Sequence, residues 1–232
     1  MPKTVRPSQT KNTLARPVKP VSQFTLYFHS LLLGLAVFAG SYSYTAFHNT
    51  PNPLNKAVAD ASLVLIGLSM LLTSVCYFWD FLDSKIVYRK YLGLVGWAFA
   101  LIHILLEYSA LQRLLSAPNW FAQSLWPVST GLLAAVIFTV MAAISNRFSA
   151  TKLGGKNWKL ILRTGYIALL FVLAHVALLK SKYWISWYNG GMKTLPSMSM
   201  FVSIFIIIVV TMRVLLWWSV RRKKPSLTRR SA

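Results

Sequence analysis

Carboxylates are nearly absent: Asp60, Asp80, Asp83 and Glu107 are the only four, set against 25 Lys and Arg. Hard cations, which need oxygen ligands, find almost nothing to bind. Hydrolysis by paired carboxylates is set aside as well, because Asp80 and Asp83 lie among basic residues and are expected to pair with Arg89 or Lys90. Cysteine is scarcer still. Cys76 stands alone, which excludes an internal disulfide and a four-thiolate iron-sulfur cluster built from this chain. No glycine-rich phosphate loop of the G-x-G-x-x-G or P-loop type is present, so a flavin or nicotinamide domain has to sit on a separate protein. A formal charge of +21 invites a nucleic-acid reading, but no stretch is long enough to build the soluble basic domain that such a partner needs.

Apolar sequence is abundant instead, at 56% of the chain. Six runs, Phe24 to Ala46, Ala59 to Phe78, Tyr91 to Leu111, Trp126 to Ser145, Leu160 to Leu179 and Met198 to Val220, are each long enough to cross about 30 Å of hydrocarbon as helix. The expected fold is an all-α membrane protein, a six-transmembrane-helix bundle. An even number of crossings puts both termini on one side, and the Lys and Arg count chooses it. Nineteen lie with the termini and the loops around Lys85 to Lys90 and Arg147 to Arg163, whereas Lys56, Arg113, Lys180, Lys182 and Lys193 lie opposite. By the positive-inside rule both termini are cytoplasmic, and Arg213 snorkels inward from the last run.

Residues 1–23 read as a basic, disordered cytoplasmic arm, residues 24–220 as the membrane domain and residues 221–232 as a basic cytoplasmic tail. Pro7, Pro17 and Pro20 break the amphipathic helix that a transit peptide requires, and the first apolar run is too long for a cleaved signal peptide. Trp126, Trp184, Trp187, Trp217 and Trp218 fall where helices meet water, as interfacial anchors do. The outer loop from Gln112 to Leu125 is expected to lie along the membrane surface or to help cover a cofactor.

Two histidines stand inside these runs. His103 follows Lys90 by 13 residues, about 20 Å of helix, and His175 follows Arg163 by 12, about 18 Å. The third and fifth runs are parallel, so the two rings lie at one depth in the outer half of the membrane. Ionisable groups there cost about 2.5 to 3.5 kcal/mol to insert when charged, which marks them as functional candidates. Two neutral imidazoles on separate helices can supply both axial ligands of a heme iron. Gly93 and Gly96 on the third run let either a flat macrocycle or another helix come close. Glu107, one turn beyond His103 on the same face, accepts a hydrogen bond or meets a heme-edge group, or else pairs with Lys180 or Lys182. His29 is a candidate for a supporting or quinone-site role, Arg163 for a supporting one, and His48 for an ordinary loop histidine. A histidine hydrogen-bonded to a neighbouring helix is the alternative for each of the pair.

The stretch Tyr88 to His103 resembles the third helix of the ferric-reductase-like transmembrane family, most of all its short MsrQ/YedZ-like branch, through Arg89, Lys90, Leu92, Gly93 and His103. A second stretch, Leu153 to Trp158 leading to His175, is similar to that family's inner loop and fifth helix. The resemblance implies heme b bound by His103 and His175, and electrons carried across a bacterial inner membrane. It implies an outer-face acceptor such as a soluble periplasmic reductase or ferric iron. Leu162 stands where the family often has another histidine, so one heme is expected. The donor is a quinol within the bilayer, favoured by the depth of the pair, or a cytoplasmic flavoprotein. Two other classes stay open: a six-helix transporter or channel with a path lined by histidine, and a heme-free membrane scaffold subunit.

Overall fold

The computed structural model describes residues 21–108, 112, 116 and 120–223. All of the regular structure among them is helical, as the bilayer demands, since backbone N–H and C=O groups in hydrocarbon must be satisfied within the segment itself. The helices are α1 (Gln23–Phe47), α2 (Pro53–Phe78), α3 (Tyr88–Leu106), α4 (Trp120–Ala143), α5 (Arg147–Arg163), α6 (Gly165–Asn189) and α7 (Met198–Lys223), with a short 3-10 segment Asp80–Lys85 between α2 and α3. Six stretches within them are long and apolar enough to span a membrane, supplied by α1, α2, α3, α4, α6 and α7. Crossing in alternation, they leave α3 and α6 parallel.

Local chemistry sets the helix ends. Ser22 caps α1 through a 3.1 Å bond from the Thr25 amide. The turn into α2 places Asn49 and Asn52 at positive φ, a conformation that asparagine tolerates, and Pro53 follows at the first helical position. α2 is the central helix, packed by α1, α3 and α7, while α4 and α6 pair with each other and α7 closes on α6. Small residues allow this. Ala57 and Ala61 are fully buried, and a Cβ on Gly96 would stand 3.0 Å from the Ile66 backbone nitrogen. One apolar core joins α2, α4, α6 and α7 around Met70, Phe138, Leu169 and Ile206; another joins α2 and α3 around Leu65, Leu92 and Phe99. Outward faces carry exposed Leu31, Leu132, Ile207 and Leu215, the pattern of a surface solvated by lipid. Ser41 of α1 donates a 2.5 Å hydrogen bond to buried Asp60 of α2.

Several expectations need correction. The stretch leading to Trp158 is not a loop but helix α5, broken at Gly154, whose φ of 72° and ψ of 145° belong to glycine alone. Trp158 donates from Nε1 to the Ile144 carbonyl at 2.9 Å and so ties α5 to the end of α4. The fifth apolar run is divided at Thr164, so Leu160 belongs to α5, and α6 continues past Leu179 through Lys180 and Lys182 to Asn189. Trp184 and Trp187 hold that extension by bonding Ser197 and the Thr194 carbonyl ahead of α7 and Ser199 in its first turn. The third run ends as helix at Leu106, with Glu107 as its cap; residues 109–111, 113–115 and 117–119 lie outside the described residues, and the last part of the expected Gln112 to Leu125 loop, from Trp120, is instead the start of α4. Nearly all of the basic arm and tail, residues 1–20 and 224–232, lie outside them too. Asp80 and Asp83 are exposed and form no ion pair with Arg89 or Lys90 among the described residues; the charges that act on Arg89 are those of Tyr166, Arg213 and Arg163.

Candidate functional site

His103 lies in the last turn of α3, and its Nδ1 is 2.7 Å from Oδ1 of Asn55, a buried residue in the first turn of α2. The other end of the Asn55 amide, Nδ2, donates to Oε1 of Glu107. The amide nitrogen faces Glu107 and the amide oxygen, which can only accept, faces the imidazole. His103 therefore carries its proton on Nδ1. The Glu107–Asn55–His103 chain fixes both ring and tautomer, and Glu107 takes the hydrogen-bonding role expected of it, through an intermediary, instead of pairing with Lys180 or Lys182.

His175 is fixed by different means to the same end. Its Nδ1 lies 2.7 Å from the carbonyl oxygen of Pro127, within α4. A carbonyl has no proton to give, so this ring too is protonated on Nδ1. Gly131, one turn along α4, makes the approach possible. A Cβ there would come within 2.8 Å of that nitrogen. Each imidazole thus has Nδ1 engaged as a donor, and Nε2 of the neutral ring keeps its lone pair. The two rings are close enough to interact electrostatically, although α3 and α6 are not packed along one another.

Around this pair lies a polar cluster. Asp60 is 7% exposed and, besides Ser41, lies within electrostatic reach of Lys56 and Lys180. Lys56 also senses Glu107. Asn55, Pro127, Gly131 and Asp60 are the site residues that sequence reasoning missed. The available signals were modest: a polar residue at the start of an apolar run, and a glycine four residues after a proline within another.

The remaining candidates lie elsewhere. Gly93 and Gly96 face α2, where added Cβ atoms would meet Ser69 and Ile66, so they serve a helix contact and not a macrocycle. His29 on α1 bonds the Tyr88 hydroxyl at 2.8 Å and, with Leu33, Leu72 and Lys85, lines a lipid-open cleft of 280 Å³. Tyr88 is 15 residues before His103, about 22 Å along α3, so His29 is no neighbour of the pair. His48 packs its ring on Tyr44 at the end of α1. Arg163 ends α5, within electrostatic reach of Arg89 and a full 12 residues from His175. Among the described residues no three His, Cys, Asp or Glu side chains converge as a metal cage. In comparison with known proteins, the chain matches no family model and no curated protein.

Proposed function

We propose that this chain is a b-type heme protein of the membrane that transfers electrons, with His103 and His175 as the two axial ligands. The observation that carries the proposal is the shared anchoring of Nδ1, which leaves an Nε2 lone pair on each of two rings close enough to interact electrostatically. A donor set of two imidazoles suits a cofactor that brings its own equatorial donors, as a porphyrin does. When bound, the heme supplies a one-electron carrier. The chain supplies the rest. Asn55 and the Pro127 carbonyl fix the rotation of each ring, Glu107 holds the far end of the Asn55 amide, and the surrounding hydrocarbon excludes water. The likeness to the ferric-reductase-like family belongs to this proposal, as do a bacterial inner membrane, a quinol or cytoplasmic flavoprotein donor, and a periplasmic reductase or ferric iron as outer acceptor.

The deciding measurement is a dithionite-reduced minus air-oxidised absorbance spectrum of the purified protein. A low-spin b-type spectrum is expected, absent from both His103→Ala and His175→Ala. A folded wild type that stays heme-free after growth with ample heme overturns the proposal. Quinol added to washed membranes is expected to reduce the heme; reduction only through a cytosolic flavoprotein would replace that donor.

A second reading draws on Asp60. A buried carboxyl beside Lys56 and Lys180, on a helix that also buries Ser62, Ser69 and Ser74, favours a proton path along α2. Proteoliposomes holding a pH-sensitive dye test it. Proton leak abolished by Asp60→Asn supports that path, and identical traces for both proteins eliminate it.

A further inference from the structure

Three arginines from three elements converge at the basic face. Arg89 in the first turn of α3, Arg163 at the end of α5 and Arg213 in α7 all act electrostatically on Tyr166 of α6, and Arg163 and Arg213 both act on Arg89. The Arg213 guanidinium stands over the Tyr166 ring, 5.0 Å from its centroid, and the Tyr166 hydroxyl is spent on the Met70 carbonyl at 3.0 Å. No carboxylate is among the charges that act on Arg89. Among the described residues its partly buried guanidinium has no hydrogen-bond acceptor, although it carries five N–H donors. Like charges gathered at a low-dielectric boundary repel one another, and a guanidinium left without an acceptor loses hydration that nothing replaces. An anion between the three relieves both costs.

We propose that Arg89, Arg163 and Arg213 form a binding site for a phosphate group, occupied by the head group of an anionic phospholipid. Guanidinium forks match phosphate oxygens in geometry as well as charge. The site lies between membrane helices on the basic face, where lipid phosphates are at hand and basic pockets select anionic head groups. Arg213 is eight residues short of Arg221, about 12 Å deeper along α7, and reaches toward the level of the other two over Tyr166.

Native mass spectrometry of the full chain in detergent, titrated with phosphatidylglycerol or phosphatidylcholine, tests this. Wild type is expected to prefer phosphatidylglycerol, and Arg89→Gln and Arg213→Gln each to weaken that binding about fivefold. Arg213→Lys, which keeps the charge, is expected to retain most of it, separating loss of the site from loss of the fold. Arg221→Gln, at a residue stacked on Trp217, is expected to leave binding unchanged. Equal binding of phosphatidylglycerol by wild type and the Arg89→Gln/Arg213→Gln double variant overturns the site. Saturation by millimolar inorganic phosphate with no lipid bound overturns the lipid as its occupant.

Discussion

At the scale of residues, the two imidazoles are held by groups that never touch the outward-facing nitrogen. Asn55→Leu removes the acceptor of His103 and the donor to Glu107 together. Partners of this kind typically contribute 10- to 100-fold to metal-site affinity, so heme affinity is expected to fall by about that factor with the absorbance of any bound fraction still low-spin. Heme titration of the apoprotein measures it. Gly131→Ala places a methyl where the His175 ring rests, and is expected to lower heme content in the as-purified protein more than alanine at any lipid-facing position of α4. An unchanged pyridine hemochrome value for Gly131→Ala would show that the ring is free to move aside. His103, His175 and Glu107 were legible as a group because ionisable residues are rare in apolar runs. Asn55 was not. It precedes the run that was read from Ala59, and only folding brings the start of α2 beside the end of α3.

Among the elements, α2 and α5 carry the sharpest constraints. A Cβ on Gly96 meets the α2 backbone itself, which no side-chain rotation can relieve. Gly96→Leu is therefore expected to part α2 from α3 and lower stability by about 1 to 3 kcal/mol, read as a drop in thermal unfolding midpoint in detergent. The break at Gly154 tests the opposite kind of glycine, where space is open and the backbone angle decides. Gly154→Ala is expected to cost about 1 to 3 kcal/mol by the same assay, although an added methyl touches nothing. The six long helices were visible in the sequence because hydrocarbon leaves the backbone little choice. Their ends were not, since α6 runs on through lysines and tryptophans that are equally at home in loops. α5 was hidden for a related reason: Gly154 and Gly155 interrupt a polar segment in the manner of a turn, and the kink absorbs them.

For the whole molecule, the asymmetry of charge sets an orientation that labelling can check. In a Cys76→Ser background, a cysteine at Lys193 is expected to react with an impermeant maleimide on intact cells, and one at Lys152 only after permeabilisation. The reverse pattern would invert the bundle. The same asymmetry gives the Arg89, Arg163 and Arg213 group its surroundings, with the α7 guanidiniums of Arg221 and Arg222 stacked at 3.8 and 3.6 Å over Trp217 and Trp218. Charge bias was legible in the sequence, but the convergence of three arginines on one tyrosine was not, because they are separated by 50 residues or more along the chain.

The contact between Ser41 and Asp60 also bears on how the protein is made. An aspartate two turns into a membrane helix adds to the cost of leaving the translocon, and α2 emerges before α3, α6 or α7 exists. The one partner already synthesised is α1, whose hydroxyl meets that carboxyl at 2.5 Å. The first two helices are accordingly expected to enter the bilayer as a hairpin, with α1 serving as escort for the helix around which the later ones pack.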